Sequence, residues 1–538
     1  MKSILSVHVP TSDAEWAALT RTFARRPNDL LSSLFERFRA IGCVSILQET
    51  AYIDRDFSAA FADFYATLFK PLSKFCTRLH FFAANISGAV ASGDSRAIVN
   101  GLAGQVEHYL GDIVLRPLAH APVSSSRVSA TRLLDPVRQE VSIKSRFENH
   151  VLGAEFAVEA MPLAQQDTRT GACAQATMWM AGRHFHNRHS APWFSVPDIT
   201  EAALNPTDSG ITRSLPAGSE YLTADNMVRA LRAMGRHPVT YVPDATVNSA
   251  PAWQNVQPKE VIARYVDSGI PVILGLQQAG TTIGHAVLAV GSERTDTRDP
   301  ATLPNRPTAA EALTHFLVND DQRGVYCRLP INAASRTAEY PFCLETDIKF
   351  LLVPLPEKVF MTAETAELVA RDILRTVAGH RHGLAAQGMP NAPWNEDQPF
   401  YEAILQDRAV ARTYLTYGWR YKARMLRNQS SENLRAELLN TQLPKYVWVT
   451  EFSLAEETQD LDPCKRTIRA HAVVDATGSR FWESVLIVDV PGISLTWQYD
   501  PSTPSGDQNL VINVSTGSTP YWPKVRGASD YGMCVVAN

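Results

Sequence analysis

The pattern of hydrophobic and polar positions divides the chain into stretches of different predicted structure. In residues 1–150, apolar side chains recur at the spacing of one helical face, which predicts a helix packed into a core; they are Phe57, Phe61, Phe64, Tyr65, Leu68 and Phe69. Further on, GDIVLRPLA predicts a short strand, and HAPVSSSRVSA predicts a Pro/Ser-rich loop that ends this region. We therefore predict a mixed helical and strand N-terminal domain over residues 1–150.

Residues 151–356 show helices first and strands afterwards. The alternation in LGAEFAVEAMPL predicts a strand, and QQDTRTGACAQATMWM predicts a polar turn and a helix that begins at Cys173. A loop with His184, His186 and His189 is predicted next, followed by helices at TADNMVRALRAMG and PKEVIARYVDSG. Strands are predicted at PVILGLQQ, GHAVLAVGSE and HFLVNDDQRGVYCRL. This order is typical of an α+β domain.

The remainder of the chain is predicted to begin with helices and to end with strands. The pattern of residues 357–380 predicts one helix. The stretch HGLAAQGMPNAPWNEDQP is the best linker candidate, so residues 357–398 are assigned to a helix and a linker. A helix is predicted over FYEAILQDRAVARTYLTYGWRYKARML. Strands are predicted at KYVWVTEFSL, RTIRAHAVVDA, WESVLIVDV, ISLTWQYD and NLVINVS. Residues 399–538 are thus predicted to form a helix and a β-rich C-terminal domain.

Length and composition fit a globular protein of several domains. The chain has 538 residues, and single cores stop growing near about 250–300 residues, so we expect three domains. A net charge of -4 and the lack of a Lys/Arg-rich block argue against a nucleic-acid partner. No stretch approaches the roughly 18–20 apolar residues of a membrane span, and the apolar N-terminal patch is too short for a secretory leader. We expect a cytoplasmic protein without a membrane partner.

The seven cysteines contain no CxxC pair, which fits neither a zinc site nor a disulfide framework. Most of them are therefore expected to be buried and reduced. No carboxylate or thiol completes a ligand pattern with His184, His186 and His189, so we expect no metal and no other cofactor.

Cys173 differs from the other cysteines because it opens a predicted helix. The positive end of the helix dipole and the free N–H groups there favour the thiolate. Attack on a carbonyl creates an oxyanion, for which the Cys173 backbone N–H and the side-chain amide of Gln166 or Gln165 are candidate donors. Gln175, one turn inside the helix, is a weaker candidate.

A thiolate nucleophile needs an imidazole base, and that base needs an orienting group. His285 follows a glycine at the start of a predicted strand, so its ring can face a cleft. Asp320 is the preferred orienter at the end of the next strand, with Asn319 and Asp321 as rivals. Strand alternation places Asn319 and Asp321 on one face and Asp320 on the other.

In order and local context, these residues resemble the papain-like cysteine peptidases, in particular the bacterial branch with bacteriocin-processing (double-glycine) peptidase-like domains. The resemblance covers roughly residues 155–355. It implies a papain-like catalytic domain of N-terminal helices and an antiparallel sheet, with Cys173 as nucleophile, His285 as base, Asp320 as orienter and Gln166 as oxyanion donor. His285 and Asp320 lie 35 positions apart, farther than is usual in that family, which predicts an inserted loop.

The function predicted from these residues is a cytoplasmic, bacterial thiol protease that hydrolyses a peptide or isopeptide bond through an acyl-enzyme. Its partner is a protein or peptide substrate, and the N- or C-terminal domain is a candidate binding site for a further protein. Two alternatives stay open at this point. The acyl group could pass to an amine, as in a transglutaminase-like or deamidating enzyme, or the domain could be an inactive scaffold that binds a peptide.

Overall fold

A computed structural model describes residues 5–24, 26–91, 94–167, 171–205, 222–247, 250–281, 284–295, 299–388, 397–427, 432–461, 466–478, 482–499, 502 and 508–514. Its helices and antiparallel sheets make the fold α+β, as predicted. Contacts divide the chain into two compact units. Unit 1 comprises residues 1–252, 271–292 and 315–355, and unit 2 comprises residues 253–270, 293–314 and 356–538. The division into domains at residues 150, 356 and 398 stays a prediction.

The N-terminal part of unit 1 is built on a five-stranded antiparallel meander. Its strands are β1 (Leu5–His8), β2 (Ser45–Tyr52), β3 (Cys76–Phe82), β4 (Tyr109–Leu115) and β5 (Val123–Val128), and its helices are α1 (Asp13–Phe23), α2 (Asp29–Ala40), α3 (Arg55–Asp63), α4 (Ser87–Val90) and α5 (Ser95–Ala103). Next come β6 (Gln139–Val141) and a hairpin of β7 (Ser145–Val151) and β8 (Ala154–Ala160). The hairpin buries every second residue of β7, among them Phe147, in a core that it shares with Phe82 and Tyr109.

Two predictions for this region are wrong. The apolar helical stripe does not continue to Phe69, because α3 ends at Asp63 and the Phe69 side chain is exposed. The serine-rich segment is not a loop but the buried strand β5. Its hydroxyl groups find partners there: Ser124 donates to Asp54 at 2.8 Å, and Ser126 donates to a backbone carbonyl of β4 at 3.2 Å. Serine tolerates burial when its hydroxyl is hydrogen-bonded, and composition alone does not reveal such partners.

The second large sheet of unit 1 has seven strands. The helices in this part of the chain are α6 (Cys173–His189), α7 (Val196–Leu204), α8 (Ala224–Ala233), α9 (Pro258–Asp267) and α10 (Leu344–Asp347). The strands are β9 (Arg236–Tyr241), β10 (Ala245–Val247), β11 (Ala250–Ala252), β12 (Val272–Leu276), β13 (His285–Arg294), β14 (Leu313–Asp320), β15 (Gly324–Pro330) and β16 (Ile348–Pro356). The sheet order is β15-β14-β13-β12-β16-β9, with β6 paired to β13.

The predicted helices and strands of this region are confirmed, with two differences. The stretch predicted as one strand at HFLVNDDQRGVYCRL is the hairpin β14–β15. The prediction of a histidine-bearing loop is wrong, because α6 continues through His184 and His186 to His189. Helix α6 can be this long because residues 174–185 are all buried, so packing stabilises a segment whose polar residues favoured a loop.

Unit 2 contains a six-stranded antiparallel meander, β17 to β22. The helices are α11 (Ala363–Gly388), α12 (Gln398–Leu405), α13 (Gly418–Arg427) and α14 (Glu432–Asn440), and the strands are β17 (Val410–Tyr417), β18 (Tyr446–Ser453), β19 (Ala470–Asp475), β20 (Val485–Val490), β21 (Ile493–Tyr499) and β22 (Gln508–Val514). The five C-terminal strands are confirmed. Helix α9 belongs to this unit: its Arg264 donates to the buried carboxylate of Glu367 on α11 at 2.9 Å.

Two predictions for unit 2 need correction. The long helix predicted from Phe400 is interrupted by β17, whose Thr and Tyr residues favour a strand and pair with β18 along its whole length. In the predicted linker, residues 382–388 are the end of α11, and residues 389–396 lie outside the described part of the chain. Within that part, helices that combine the length and the apolar character needed to cross a bilayer are absent.

Helix α6 is fixed to the sheet by one buried side chain. The Thr177 hydroxyl donates to the backbone carbonyl of Ala286 on β13 at 2.9 Å, and both residues are buried. Thr177 lies one turn after Cys173, and Ala286 follows His285. This hydrogen bond therefore sets the start of α6 against the start of β13.

We predict that Thr177→Val lowers the free energy of unfolding by about 1–2 kcal/mol, because valine keeps the shape but removes the donor. Thr177→Ser keeps the hydroxyl and serves as the matched control. Urea denaturation of the full chain measures both. Equal stability of the valine variant and the parent would contradict this account of how α6 is anchored.

Candidate active site

Cys173 is the first residue of α6. The N-cap Ala172 is extended and has no polar side chain, so it cannot accept hydrogen bonds from the N–H groups of the first turn. Gln175 compensates in part, because its side-chain oxygen accepts from the Ala172 N–H at 3.2 Å. The turn lies close to α7: a Cβ on Gly171 would come within 2.8 Å of Val196 Cγ1, so only glycine fits there. The Cys173 thiol is half-buried, at a helix end whose dipole favours an anion.

His285 opens β13, where its Cα pairs with that of Leu276 on β12. Its imidazole is hydrogen-bonded on both sides, to the Cys173 side chain and to Asp320. The distance from His285 Nε2 to Asp320 Oδ1 is 3.0 Å. The Phe342 ring stacks on the imidazole at 5.7 Å between ring centroids and 20° between planes. The structure thus brings together Cys173, His285 and Asp320.

Asp320 is fully buried and held by three groups. Its Oδ1 accepts from His285 and from the Gln322 backbone N–H at 2.9 Å, and its Oδ2 accepts from the Tyr340 hydroxyl at 3.0 Å. Burial opposes the charged form, but the hydrogen bond and the positive charge of His285 outweigh it and lower the pKa of Asp320. The carboxylate therefore stays ionised beside the imidazole.

The same contacts raise the pKa of His285. Burial opposes the imidazolium, yet the hydrogen bonds to Asp320 and Cys173 and the nearby carboxylates outweigh it and raise the pKa of His285 to about 11. The folded protein therefore holds His285 as an imidazolium at neutral pH. The Cys173 side chain therefore lies beside a cation.

A register shift lies beside the strand end that reaches the imidazole. Between Val318 and Asp320 the pairing shifts by one residue, and the extra residue lies on β15, so β14 keeps its alternation up to Asp320. Asn319 turns to the other side, where its amide donates to the backbone oxygens of Met161 and Pro162 and its oxygen accepts from the Tyr326 N–H at 3.1 Å. Asp320 and Asp321 both end near His285, which alternation does not predict.

Asp321 is the second carboxyl group at the imidazole. Its Oδ1 lies 3.9 Å from His285 Nε2, and its side chain is fully buried. Burial and the charge of Asp320 raise the pKa of Asp321 to about 7, although the charge of His285 opposes them. The ligand atoms of His285, Asp320 and Asp321 lie within 4.8 Å of one another, a spacing at which a cation can bind. In the described residues, however, His285 Nε2 and both Asp320 oxygens have hydrogen bonds, so we interpret the group as an acid-base pair.

A cavity of about 410 Å³ opens beside Cys173 and His285. Its wall includes the apolar side chains of Leu222, Met227 and Phe350, and one ammonium group, that of Lys349. Gly275 leaves room for the Phe350 ring, since a Cβ there would come within 2.2 Å of it. The cavity is large enough for a side chain of a bound molecule next to the thiol.

The two glutamines before Cys173 have different surroundings. Gln165 is engaged with β5, because its side-chain oxygen accepts from the Val123 N–H at 3.0 Å and its carbonyl accepts from Arg116. Gln166 lines a smaller cleft of about 30 Å³ together with Gly171 and Ala172, not the cavity at Cys173. The backbone of Gln166 acts on Asp321 in the His285–Asp320–Asp321 cluster. Its role as oxyanion donor stays a prediction.

The other described cysteines have different environments. Burial raises the pKa of Cys43 and of Cys76 to about 12, and it raises the pKa of Cys327 as well. Cys343 is buried, while Cys464 and Cys534 lie outside the described residues. Among the described cysteines, Cys173 is the one at a cavity beside an imidazole.

Sequence reasoning missed the cavity wall. Met227 and Phe350 are ordinary core residues by pattern, and nothing local shows that they face a cavity. One signal was present: Gly275 interrupts the apolar run PVILGLQQ, and a glycine inside a strand often marks a close approach. Comparison with models of known protein families gives no match, and comparison with curated proteins gives none either. The function has to be argued from the site.

We predict opposite effects of two neighbouring substitutions on stability. The folded-state pKa of Asp321 lies above the ordinary 3.8, so the protein loses stability as pH rises from about 4 to about 7. Asp321→Asn removes this cost and should raise the free energy of unfolding at pH 8, by at most about 4 kcal/mol, with less gain toward pH 4.

Asp320→Asn should destabilise the protein at pH 8. The pKa of Asp320 is lowered, so its contribution is present above the ordinary pKa of 3.8 and is lost as pH falls through the lower folded-state value. Urea denaturation at pH 8 and pH 5 measures both variants. Changes of the same sign at pH 8 would contradict the assigned charge states.

Proposed function

We propose that the chain is a cysteine peptidase with a papain-like catalytic domain, which hydrolyses a peptide or isopeptide bond through an acyl-enzyme. The observation that carries the proposal is the row of hydrogen bonds from Cys173 through His285 to Asp320, on the wall of a cavity of about 410 Å³. A nucleophile, a base and an orienting group in that order are the parts that covalent acyl transfer needs.

In the first step, the Cys173 thiolate attacks the substrate carbonyl carbon, and an S–C bond forms while the carbonyl oxygen becomes an oxyanion. The Cys173 backbone N–H, at the uncapped start of α6, is a donor for that oxygen. Gln166 is the second donor proposed. Loss of one such donor typically lowers the rate by about 10²–10³.

In the second step, the tetrahedral intermediate breaks down. The imidazolium of His285 gives its proton to the leaving nitrogen, the C–N bond breaks, and a thioester of Cys173 remains. Neutral His285 then removes a proton from water, which attacks the thioester. The C–S bond breaks, the acid is released, and the thiolate–imidazolium pair is restored. Asp320 keeps the ring oriented throughout.

The cavity wall favours a peptide with a large apolar side chain close to the cleaved bond. Leu222, Met227 and Phe350 offer apolar surface, and burial of such a side chain contributes about 1.5–3 kcal/mol to binding. Lys349 adds a positive charge at the same wall, which favours a substrate with a carboxylate nearby. These properties define the peptides to be tested first.

We predict that Cys173 is alkylated by iodoacetamide at neutral pH faster than the other cysteines, and that His285→Ala lowers this rate at least about tenfold, because the variant lacks the cation that stabilises the thiolate. Peptide mapping by mass spectrometry identifies the labelled residue. His315→Ala, which changes a histidine elsewhere in unit 1, is the matched control.

Hydrolysis is tested on a library of peptides with a large apolar residue. Cys173→Ala should abolish cleavage, and trapping with hydroxylamine should yield the hydroxamate of the acyl-enzyme. A product joined to an added primary amine, without hydrolysis, would replace the peptidase by an acyl transferase. Slow, equal labelling of all cysteines and no acyl-enzyme would contradict the proposal and leave a peptide-binding scaffold.

We also predict that Gly275→Ala weakens substrate binding. The added methyl would meet the Phe350 ring at 2.2 Å and push it into the cavity, so KM for peptides with a large apolar residue should rise about tenfold while kcat changes little. Gly182→Ala, within α6, is the matched control, because its methyl would only touch the Met234 side chain at 3.5 Å.

Phe350→Ala in the Gly275→Ala background should restore the KM, since it removes the displaced ring. Equal KM values for the Gly275→Ala and Gly182→Ala enzymes would show that the substrate does not use this cavity.

A further inference from the structure

We propose that Asp321 is a positioning residue that links the backbone at Gln166 to the imidazole of His285, so that the ionisation of one buried carboxyl group acts on both. The inference rests on the proposed function, since it concerns the reactivity of the Cys173–His285 pair. Asp321 would act on Cys173 through the base.

The geometry places Asp321 between two parts of the site. On one side, its Oδ1 lies 3.9 Å from His285 Nε2, the nitrogen that Asp320 already engages at 3.0 Å. On the other side, the backbone N–H of Gln166 acts on the carboxylate and lowers its pKa. Neither oxygen of Asp321 is within hydrogen-bond geometry of a donor in the described residues. A fully buried carboxyl group without an aligned donor is costly to keep.

The local turn does not explain Asp321. Aspartate is common where a strand ends because it accepts from a backbone N–H two residues on. Asp320 already does so, since its Oδ1 accepts from the Gln322 N–H at 2.9 Å. Asp321 is therefore not needed for this hydrogen bond of the turn. An asparagine would fill the same space without the cost of burying a charge.

The charged groups that act on Asp321 are His285 on β13 and Asp320 on its own strand end. Tyr340 and Arg323 lie on the far side of Asp320: the tyrosine hydroxyl donates to Oδ2, and the guanidinium lies 5.9 Å from the tyrosine ring centroid. In this setting the pKa of Asp321 is about 7, so its charge changes within the neutral pH range. Asp320 stays ionised over that range.

The two charge states have different consequences for the site. Ionised Asp321 adds a second negative charge at the imidazole, which stabilises the imidazolium, and it attracts the Gln166 N–H. Neutral Asp321 loses both attractions, so the imidazolium gives up its proton more readily and the Gln166 backbone is held less firmly. The rate at which Cys173 reacts should therefore change through neutral pH.

The rate of Cys173 alkylation by iodoacetamide, measured from pH 5 to pH 9 on the full chain, tests the inference. The parent should show an inflection near pH 7. Asp321→Asn should remove that inflection and leave a smooth profile. Asp54→Asn is the matched control, because Asp54 is another buried carboxyl group with a raised pKa, and asparagine preserves its N-cap contact with Phe57. Its profile should keep the inflection.

The outcomes separate the inference from the proposed function. If the Asp321→Asn profile superimposes on that of the parent while His285→Ala still lowers the rate, the inference is wrong and the proposed function stands. If Cys173 is alkylated equally slowly in the parent and in His285→Ala, the proposed thiolate–imidazolium pair of Cys173 and His285 is wrong.

A second measurement serves if Asp321→Asn does not fold. The imidazole resonances of His285, assigned in labelled parent protein with His285→Ala, should shift with a midpoint near pH 7 as Asp321 ionises. Resonances that stay constant from pH 5 to pH 9 would overturn the inference.

Discussion

The site depends on the buried hydrogen bond between His285 and Asp320. Burial works against both charges, yet each partner stabilises the other, and the pKa of the acid falls while that of the base rises. The Gln322 N–H also donates to Oδ1 and the Tyr340 hydroxyl donates to Oδ2, so each oxygen of the carboxylate has at least one hydrogen bond. An ion pair with this degree of support can hold an imidazole in one orientation beside a thiol.

Two neighbouring carboxyl groups with opposite electrostatic properties lie where β14 ends. Asn319 faces the Met161–Pro162 backbone, while Asp320 ends the strand, Asp321 follows it, and both carboxyl groups lie at the imidazole. Asp320 takes the well-aligned hydrogen bond, and Asp321 is left with a weaker, longer-range attraction. Their pKa values move apart as a result, one below and one above the ordinary value.

Local patterns predicted the elements that carry the candidate site, but not the contacts between them. The starts of α6 and β13 could be read from Cys173 and His285 because periodicity and a preceding glycine mark them. The burial of β5 could not be predicted, since its serines depend on partners far along the chain. The helix predicted before Tyr417 is instead strand β17, because these residues pair with β18, which is also distant along the chain. The proximity of Asp321 to His285 depended on the path of the chain after β14 ends, which strand alternation does not predict.

The 35-residue separation of His285 and Asp320 has a consequence for how the protein can be dissected. Between β13 and β14 the chain leaves unit 1, because residues 293–314 belong to unit 2 together with α9. Unit 1 is therefore not a contiguous piece of the gene. A fragment excised at residues 151 and 356 would carry two segments without the rest of unit 2, and would lack the meander that precedes it, so the Cys173–His285 pair is best studied in the intact polypeptide.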